Sequence, residues 1–413
     1  MPRRIPARAA VLAAAVAVLC AAGSSARAEE NGDKISDGVV KLGYLIDQAS
    51  TYADETGIGS ITAARMALED FGGKVLGKPV ELVFADHQNK PDNASALARQ
   101  WFDSDKVDAI LDVTASSAAL AVEAVAKEKN KIISIAGGLA TTITNESCTP
   151  ASFHTSMDTY SLSHAVAGAA VKQGMDSWYF LTVDYTFGYD LANEAMRVVK
   201  ASGGTVIGEV RHPLNTSDFS SYLLQAQASK AKAVAFANAG LDMVNAVKQA
   251  VEFGLPQGGQ NVVTLLNQIV DVDAMGLQTA QGLLLSEGFY WDLNDDTRAF
   301  SKRYFERVKK MPDTVQMGVY TGTLHYLQAV QAAGTDATEP VAEKMHSLPV
   351  HDVFAPNGHI RPDGLLEKDM YLFQVKSPGE SKYPWDYYKL LATVRGSQAF
   401  QPMSENKCPY AKK

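Results

Sequence analysis

Cysteine, net positive charge and long apolar runs are what this 413-residue chain has least of. Past residue 28, no apolar run approaches the 18 or so residues of a membrane-spanning helix, and with 46% hydrophobic residues the chain reads as soluble and globular. Lys and Arg number 38 against 46 Asp and Glu, a formal charge of −8. A chain this acidic gains nothing from a phosphate backbone, so nucleic acid is not an expected partner. The three cysteines, Cys20, Cys148 and Cys408, fit no zinc or redox spacing. No Gly-x-Ser-x-Gly elbow, His-Glu-x-x-His helix or P-loop occurs. The histidines (87, 154, 164, 212, 325, 346, 351 and 359) stand singly and read as surface or hinge positions. Asp47, Asp86, Asp112 and Asp184 lie near strand ends and read as caps of the following helices rather than acid–base pairs. Neither an enzyme, a metal site nor a cofactor is expected.

One apolar run is present, at 9–22, preceded by Arg3, Arg4 and Arg8 and followed by Ala26-Arg27-Ala28. This is the layout of a secretory signal peptide, cut before Glu29. The run is too short to span ~30 Å of hydrocarbon, and bulky Val18 and Leu19 ahead of Cys20 argue against lipid attachment. Cleavage leaves 385 residues and, with four arginines removed, a charge of −12. At that length two domains are the default. In an oxidising compartment the two remaining cysteines suggest a disulfide, and Cys148–Cys408 is the one possible pair. It would close a loop of about 260 residues and contribute ~2–4 kcal/mol.

From residue 39 a short apolar strand, a loop and an amphipathic helix recur, the period switching from about 2 to 3.6 each time. Strands are expected at 40–46, 80–85, 109–113 and 131–135, and helices at 59–71, 93–102 and 118–128. A second series places helices at 161–173, 189–201, 219–229 and 243–253 and strands at 177–182, 205–210 and 233–237. Alternation of this kind implies parallel βαβ units and doubly wound sheets. No Pro/Gly/Ser-rich linker divides the two series. Beyond about residue 283 the pattern breaks (helices at 298–310 and 319–333, a strand at 369–375), which suits a return to complete the first two units better than a third domain.

Several stretches resemble type I periplasmic solute-binding proteins. They are Gly72-Gly73-Lys74-Val75-Leu76-Gly77-Lys78-Pro79-Val80-Glu81-Leu82 with Asp86, Ala115-Ser116-Ser117-Ala118, Ala136-Gly137-Gly138, and Asp184-Tyr185-Thr186-Phe187-Gly188. Their order and spacing are most similar to the leucine/isoleucine/valine-binding branch, receptors of branched-chain amino acid and amide ABC importers, and in style to its aromatic-acid binders. The resemblance implies a periplasmic receptor for a small-molecule ligand that hands it to membrane permease subunits and works as a monomer. It implies two Rossmann-like lobes joined by three crossovers near 153–158, 286–291 and 363–369. Lobe one would be 38–154 plus 289–365 and lobe two 155–288 plus 366–400, with 401–413 as a tail. A detached sensor domain feeding a signalling receptor would share this fold.

The resemblance also implies a site. Ser116 and Ser117, where a strand meets a helix, would offer hydroxyls and N–H groups to a carboxylate at the positive end of the helix dipole. Gly137, Gly138, Ala140 and Thr141 would form the second carboxylate-contacting turn, the glycines permitting close backbone approach. Tyr185 and Phe187 would cover the solute from lobe two, Tyr52 would stack on it from lobe one, and Asn238 sits at a strand's carboxyl end. Amino-acid-binding members place an acid in the turn that here reads Leu265-Leu266-Asn267-Gln268. A buried ammonium without an acidic partner costs several kcal/mol. With Asn267 and Gln268 there, the expected solute is a carboxylate without an amine, an aromatic acid above all. The alternative in the same fold is a branched-chain amino acid or amide.

Overall fold

The computed structural model describes residues 35–411; the signal-peptide reading at 1–28 lies outside them. Two sheets organise the described chain. The first has the spatial order Lys74–Val75, Lys78–Asp86, Val40–Ile46, Ala109–Val113, Ile132–Ile135, Ser152–His154. All its neighbours pair in parallel except the short Lys74–Val75 strand. The second runs Asn261–Thr264, Ala233–Ala237, Ser177–Val183, Thr205–His212, all parallel. Ala109–Val113 and Ala233–Ala237 are buried at every residue, as strands covered on both faces by helices must be. Gly43 serves this packing: a Cβ there would lie 2.6 Å from the Trp101 indole.

Each sheet has a point where the strand order reverses. In the first it lies between Val40–Ile46 and Ala109–Val113, in the second between Ser177–Val183 and Ala233–Ala237. Loops leaving such points open a crevice at the carboxyl ends of the strands. The chain passes from the first sheet to the Thr159–Lys172 helix after Ser152–His154, with Asp158 capping that helix through Ser161 N at 2.8 Å. It returns after Leu284–Glu287 to the helices Asp295–Val308 and Thr314–Ala333, which pack on Gly57–Phe71 beside the first sheet. A last crossing leads into Met370–Val375, which joins Leu284–Glu287 and Tyr388–Val394 in an antiparallel sheet next to Thr159–Lys172.

Cys148 and Cys408 are disulfide-bonded, their Cα atoms 5.6 Å apart. Around them Arg361 donates to Gln401 O at 2.7 Å and Asn406 Nδ2 to Asp363 at 2.8 Å, so the tail is sewn onto the first sheet's edge. The histidines differ from their sequence reading. His87, His154, His212 and His325 are interior, at most 1% exposed. His154 Nε2 is 2.7 Å from Gly138 O, and burial pulls its pKa down to about 4. Each of the four is a single ring packed into the core, His154 and His325 held by one backbone carbonyl, and a scan for clustered histidines does not register such positions.

Candidate ligand-binding site

The crevices of the two sheets face one another across a narrow recess. Its walls come from the carboxyl ends of six parallel strands. Tyr52, Glu55 and Thr56 follow Val40–Ile46; Thr114 and Ser116 follow Ala109–Val113; Gly137 and Leu139 follow Ile132–Ile135. Tyr185 and Phe187 follow Ser177–Val183, Ala239 follows Ala233–Ala237, and Leu266 follows Asn261–Thr264. Val315, in the first turn of Thr314–Ala333, completes the lining. The lining contains no lysine, arginine or histidine.

Asp47 builds the first loop. Its carboxylate accepts from Ala49 N, Ser50 N and Oγ, Tyr52 N and Asn89 Nδ2 at 2.7–3.1 Å. Burial alone would raise its pKa, but these donors outweigh it and hold the group charged and below the usual value. The loop so fixed reaches the other sheet's loops. Tyr52 OH meets Tyr185 OH at 2.7 Å, Leu241 N donates to Thr51 O at 3.0 Å, Gly240 N donates to Glu55 Oε1 at 3.2 Å, and Thr51 bonds Asn215.

The second and third loops are tied together. Asp112 accepts from Ala136 N and Gly137 N at 2.9 and 2.8 Å, and Ala115 N donates to Gly137 O at 3.2 Å. Ala115 stands at φ +64°, a setting that costs an L-residue about 1–3 kcal/mol and concentrates at functional sites. Ser116 Oγ accepts from Leu139 N at 3.1 Å and Ala140 N at 3.0 Å. With both lone pairs engaged, what it retains for the recess is its O–H, a donor. The first N–H groups of Ser116–Lys129 have no intrahelical partner and add to that donor set.

Of the sequence-derived residues, Tyr52, Ser116, Gly137, Tyr185 and Phe187 line the recess, and the other seven do not. Ser117 lies one helical position round from Ser116, half-buried and outside the lining. Gly138 faces its own lobe: a Cβ there would lie 2.7 Å from Ala119 Cβ, so it exists for helix packing. Ala140 gives its N–H to Ser116. Thr141 turns to Thr159, hydroxyl to hydroxyl at 2.7 Å, and lines a separate depression with Asp190 and Gln401. Asn238 is buried against His212, its Nδ2 3.2 Å from Nε2. Asn267 donates to Thr264 Oγ1 at 2.8 Å, and Gln268 Oε1 accepts from Thr314 N at 3.0 Å, fastening the turn to the neighbouring helix. Leu266 is the residue this turn shows to the recess.

Glu55 is an acid at the recess that the sequence reading did not single out. It is 4% exposed and lines the recess from the loop that was credited only with Tyr52. Burial raises its pKa well above the usual carboxyl range, and the nearby Asp271 and Asp313 add to the effect. Besides Gly240 N it is hydrogen-bonded to the Asp271 side chain, a contact that favours the protonated form of Glu55. The signal available in the sequence was an acid three residues past the aromatic, in Tyr52-Ala53-Asp54-Glu55.

A recess walled by two opposed sets of strand-end loops, and lined by hydroxyl and N–H donors together with aromatic rings, is a solute trap. The sequence agrees: the periplasmic binding protein family model matches residues 39–381, and the chain belongs to that family. A crystal structure of a periplasmic binding protein from Burkholderia mallei is 47% identical, covering 91% of this chain and 100% of its own, with a TM-score of 0.89. A branched chain amino acid ABC transporter periplasmic ligand-binding protein from Burkholderia xenovorans LB400 is 40% identical, covering 90% and 100%, with a TM-score of 0.80. An ABC transporter solute binding protein from Rhodopseudomonas palustris BisB5, solved with 3,4-dihydroxy benzoic acid, shares the fold at 21% identity, covering 90% and 100%, with a TM-score of 0.78.

Proposed function

We propose that the protein is the solute receptor of an ABC importer, capturing a small carboxylate without an amine, an aromatic acid above all, and presenting it to membrane permease subunits. The observation that carries this reading is the composition of the recess lining. The Ser116 O–H and the free N–H groups of its helix suit an anion, with no cationic side chain needed. Tyr52, Tyr185 and Phe187 bring aromatic rings to the same recess, and Leu139, Leu266 and Val315 are apolar. Glu55 presents a neutral carboxyl rather than a carboxylate, which a phenol or an uncharged end tolerates. An ammonium would first have to displace that proton, and this keeps the branched-chain amino acid reading second.

In this reading the mature chain starts at Glu29, works in the periplasm as a monomer and binds without catalysis. Lobe one is 38–154 plus 289–365, lobe two 155–288 plus 366–400, and 401–413 is a tail held by the disulfide. A ligand touching both lobes closes them through contacts it lacks in the open form. Thermal-shift screening of the mature protein against benzoates, aliphatic acids and amino acids tests it. A solute that binds only the folded state raises apparent stability by RT ln(1 + [L]/Kd). Shifts from acids alone are expected; shifts from leucine, isoleucine and valine alone would refute the amine-free assignment.

A further inference from the structure

We propose that closure of the cleft is coupled to one proton, held between Glu55 of the first loop and Asp271 of the Ile269–Met275 helix across the lobe boundary. The inference rests on the trap reading above and concerns how the trap is held shut.

The geometry comes first. Glu55 belongs to the loop built by Asp47 on the first sheet, and Asp271 to the first turn of the helix that follows the second sheet's edge strand. Glu55 Oε1 accepts from Gly240 N at 3.2 Å, and Asp271 Oδ2 accepts from Gln268 N at 2.9 Å, so each carboxyl already has one oxygen committed to an N–H. The two side chains are hydrogen-bonded to each other. Glu55 is 4% exposed and Asp271 2%. Two carboxylates cannot share such a dry contact both charged, whereas a carboxyl donating to a carboxylate forms a short, charge-assisted bond.

Among the described residues, the groups around the pair are mostly acids, and the cations nearest to it are engaged elsewhere. Asp313, 0% exposed, faces the pair from the turn before Thr314–Ala333. Glu287 lies behind it, bonded to Tyr388 and Thr314 at 2.7 and 3.0 Å. From the second lobe come Asp242 and Tyr185, and from the same loop as Glu55 come Tyr52 and Asp54. Lys310 is the nearby cation, and it is paired with Asp54 at 2.7 Å on the exposed rim. Lys368 sits beyond Glu287, donating to Gly288 O at 3.1 Å. When the lobes part, both carboxyls of the pair regain water and return toward ordinary acidity, about 4.

The sign follows. Burial, then the neighbouring acids, raise the closed-state pKa of Glu55 above its open-state value. The contribution to closure is therefore complete below the open-state pKa and is lost as pH rises through the closed-state one. Within that window the closure equilibrium falls about tenfold per pH unit for a single proton. The receptor closes more firmly in acid surroundings and loosens in alkaline ones.

Paired spin labels test this without a solute. Ala96→Cys and Gln225→Cys place labels on exposed positions of the two lobes, and the native cysteines of the mature chain are already bonded to each other. The distance distribution of the mature protein is recorded from about pH 5 to about pH 9, with and without Glu55→Gln. Glutamine keeps a neutral donor for Asp271 and an acceptor for Gly240. Expected is a closed fraction that shrinks with rising pH in the parent and does not change in the variant. Open and closed distances in a pH-independent ratio, or a pH response that survives Glu55→Gln, would overturn the proton latch and leave the trap intact. A single distance at every pH would overturn the hinged trap itself.

Discussion

Gly240→Ala should cripple capture while leaving each lobe folded. Gly240 has φ +59°, and an added Cβ would lie 2.3 Å from Thr51 O and 3.1 Å from Tyr52 Cδ1, both on the opposite side of the cleft. Real Cβ contacts essentially never fall under 3.0 Å, so the first loop has to back away. Doing so stretches Leu241 N to Thr51 O (3.0 Å) and Gly240 N to Glu55 (3.2 Å). Two such bonds contribute about 1–3 kcal/mol together, which predicts affinity about 5- to 150-fold weaker. In the open form the same methyl meets no opposing lobe and costs the backbone about 1–2 kcal/mol for its left-handed setting. Isothermal titration with the solute found by screening, beside a melting curve of the ligand-free variant, separates the two effects. Unchanged affinity would refute the argument, since it would mean that Gly240 and Thr51 are not brought together when solute binds.

Three further outcomes are expected. Ser116→Ala leaves the N–H groups of Leu139 and Ala140 buried without their acceptor. At ~1–3 kcal/mol for each such group and ~2–4 °C per kcal/mol, melting should fall by several degrees even without solute, and an unchanged melting curve would contradict this. Mass spectrometry of protein alkylated without reduction should find Cys148 and Cys408 unmodified; recovery of both as alkylated thiols would remove the bond from the account. Burial raises the Glu123 carboxyl to about 8, so its contribution is complete below the unfolded value and is lost as pH rises through about 8. Glu123→Gln should therefore melt above the parent at about pH 9 and close to it at about pH 5, and equal melting at both would show that the group does not ionise on unfolding.

The alternation of strands and helices was legible because parallel strands covered on both faces are continuous apolar runs. The strands at 40–46, 109–113 and 233–237 coincide with Val40–Ile46, Ala109–Val113 and Ala233–Ala237. Asn261–Thr264 was hidden because it is four residues long and begins on exposed Asn261. Tyr388–Val394 was hidden because only Tyr388 is buried along it, as befits an edge strand with little core to face. In the site, the loops were legible and the directions of their side chains were not. Gly137 and Gly138 are adjacent, yet one borders the recess and the other packs on Ala119. Asn267 and Gln268 occupy the expected turn but bond to Thr264 and Thr314. Glu55 escaped because its role depends on Asp271, more than two hundred residues away, and no local pattern announces such a partner.

The central claim is that the recess selects a carboxylate that carries no amine, and titration calorimetry of the mature protein tests it most directly. With 4-hydroxybenzoate and leucine titrated in parallel, the account predicts saturable heat from the aromatic acid and much weaker binding of leucine. Loss of one hydrogen bond to a charged group costs ~1.5–3 kcal/mol, so Ser116→Ala should weaken the acid's binding about tenfold or more. Leucine binding at micromolar or tighter affinity, with no response to any amine-free acid, would contradict the account and assign the recess to amino acids.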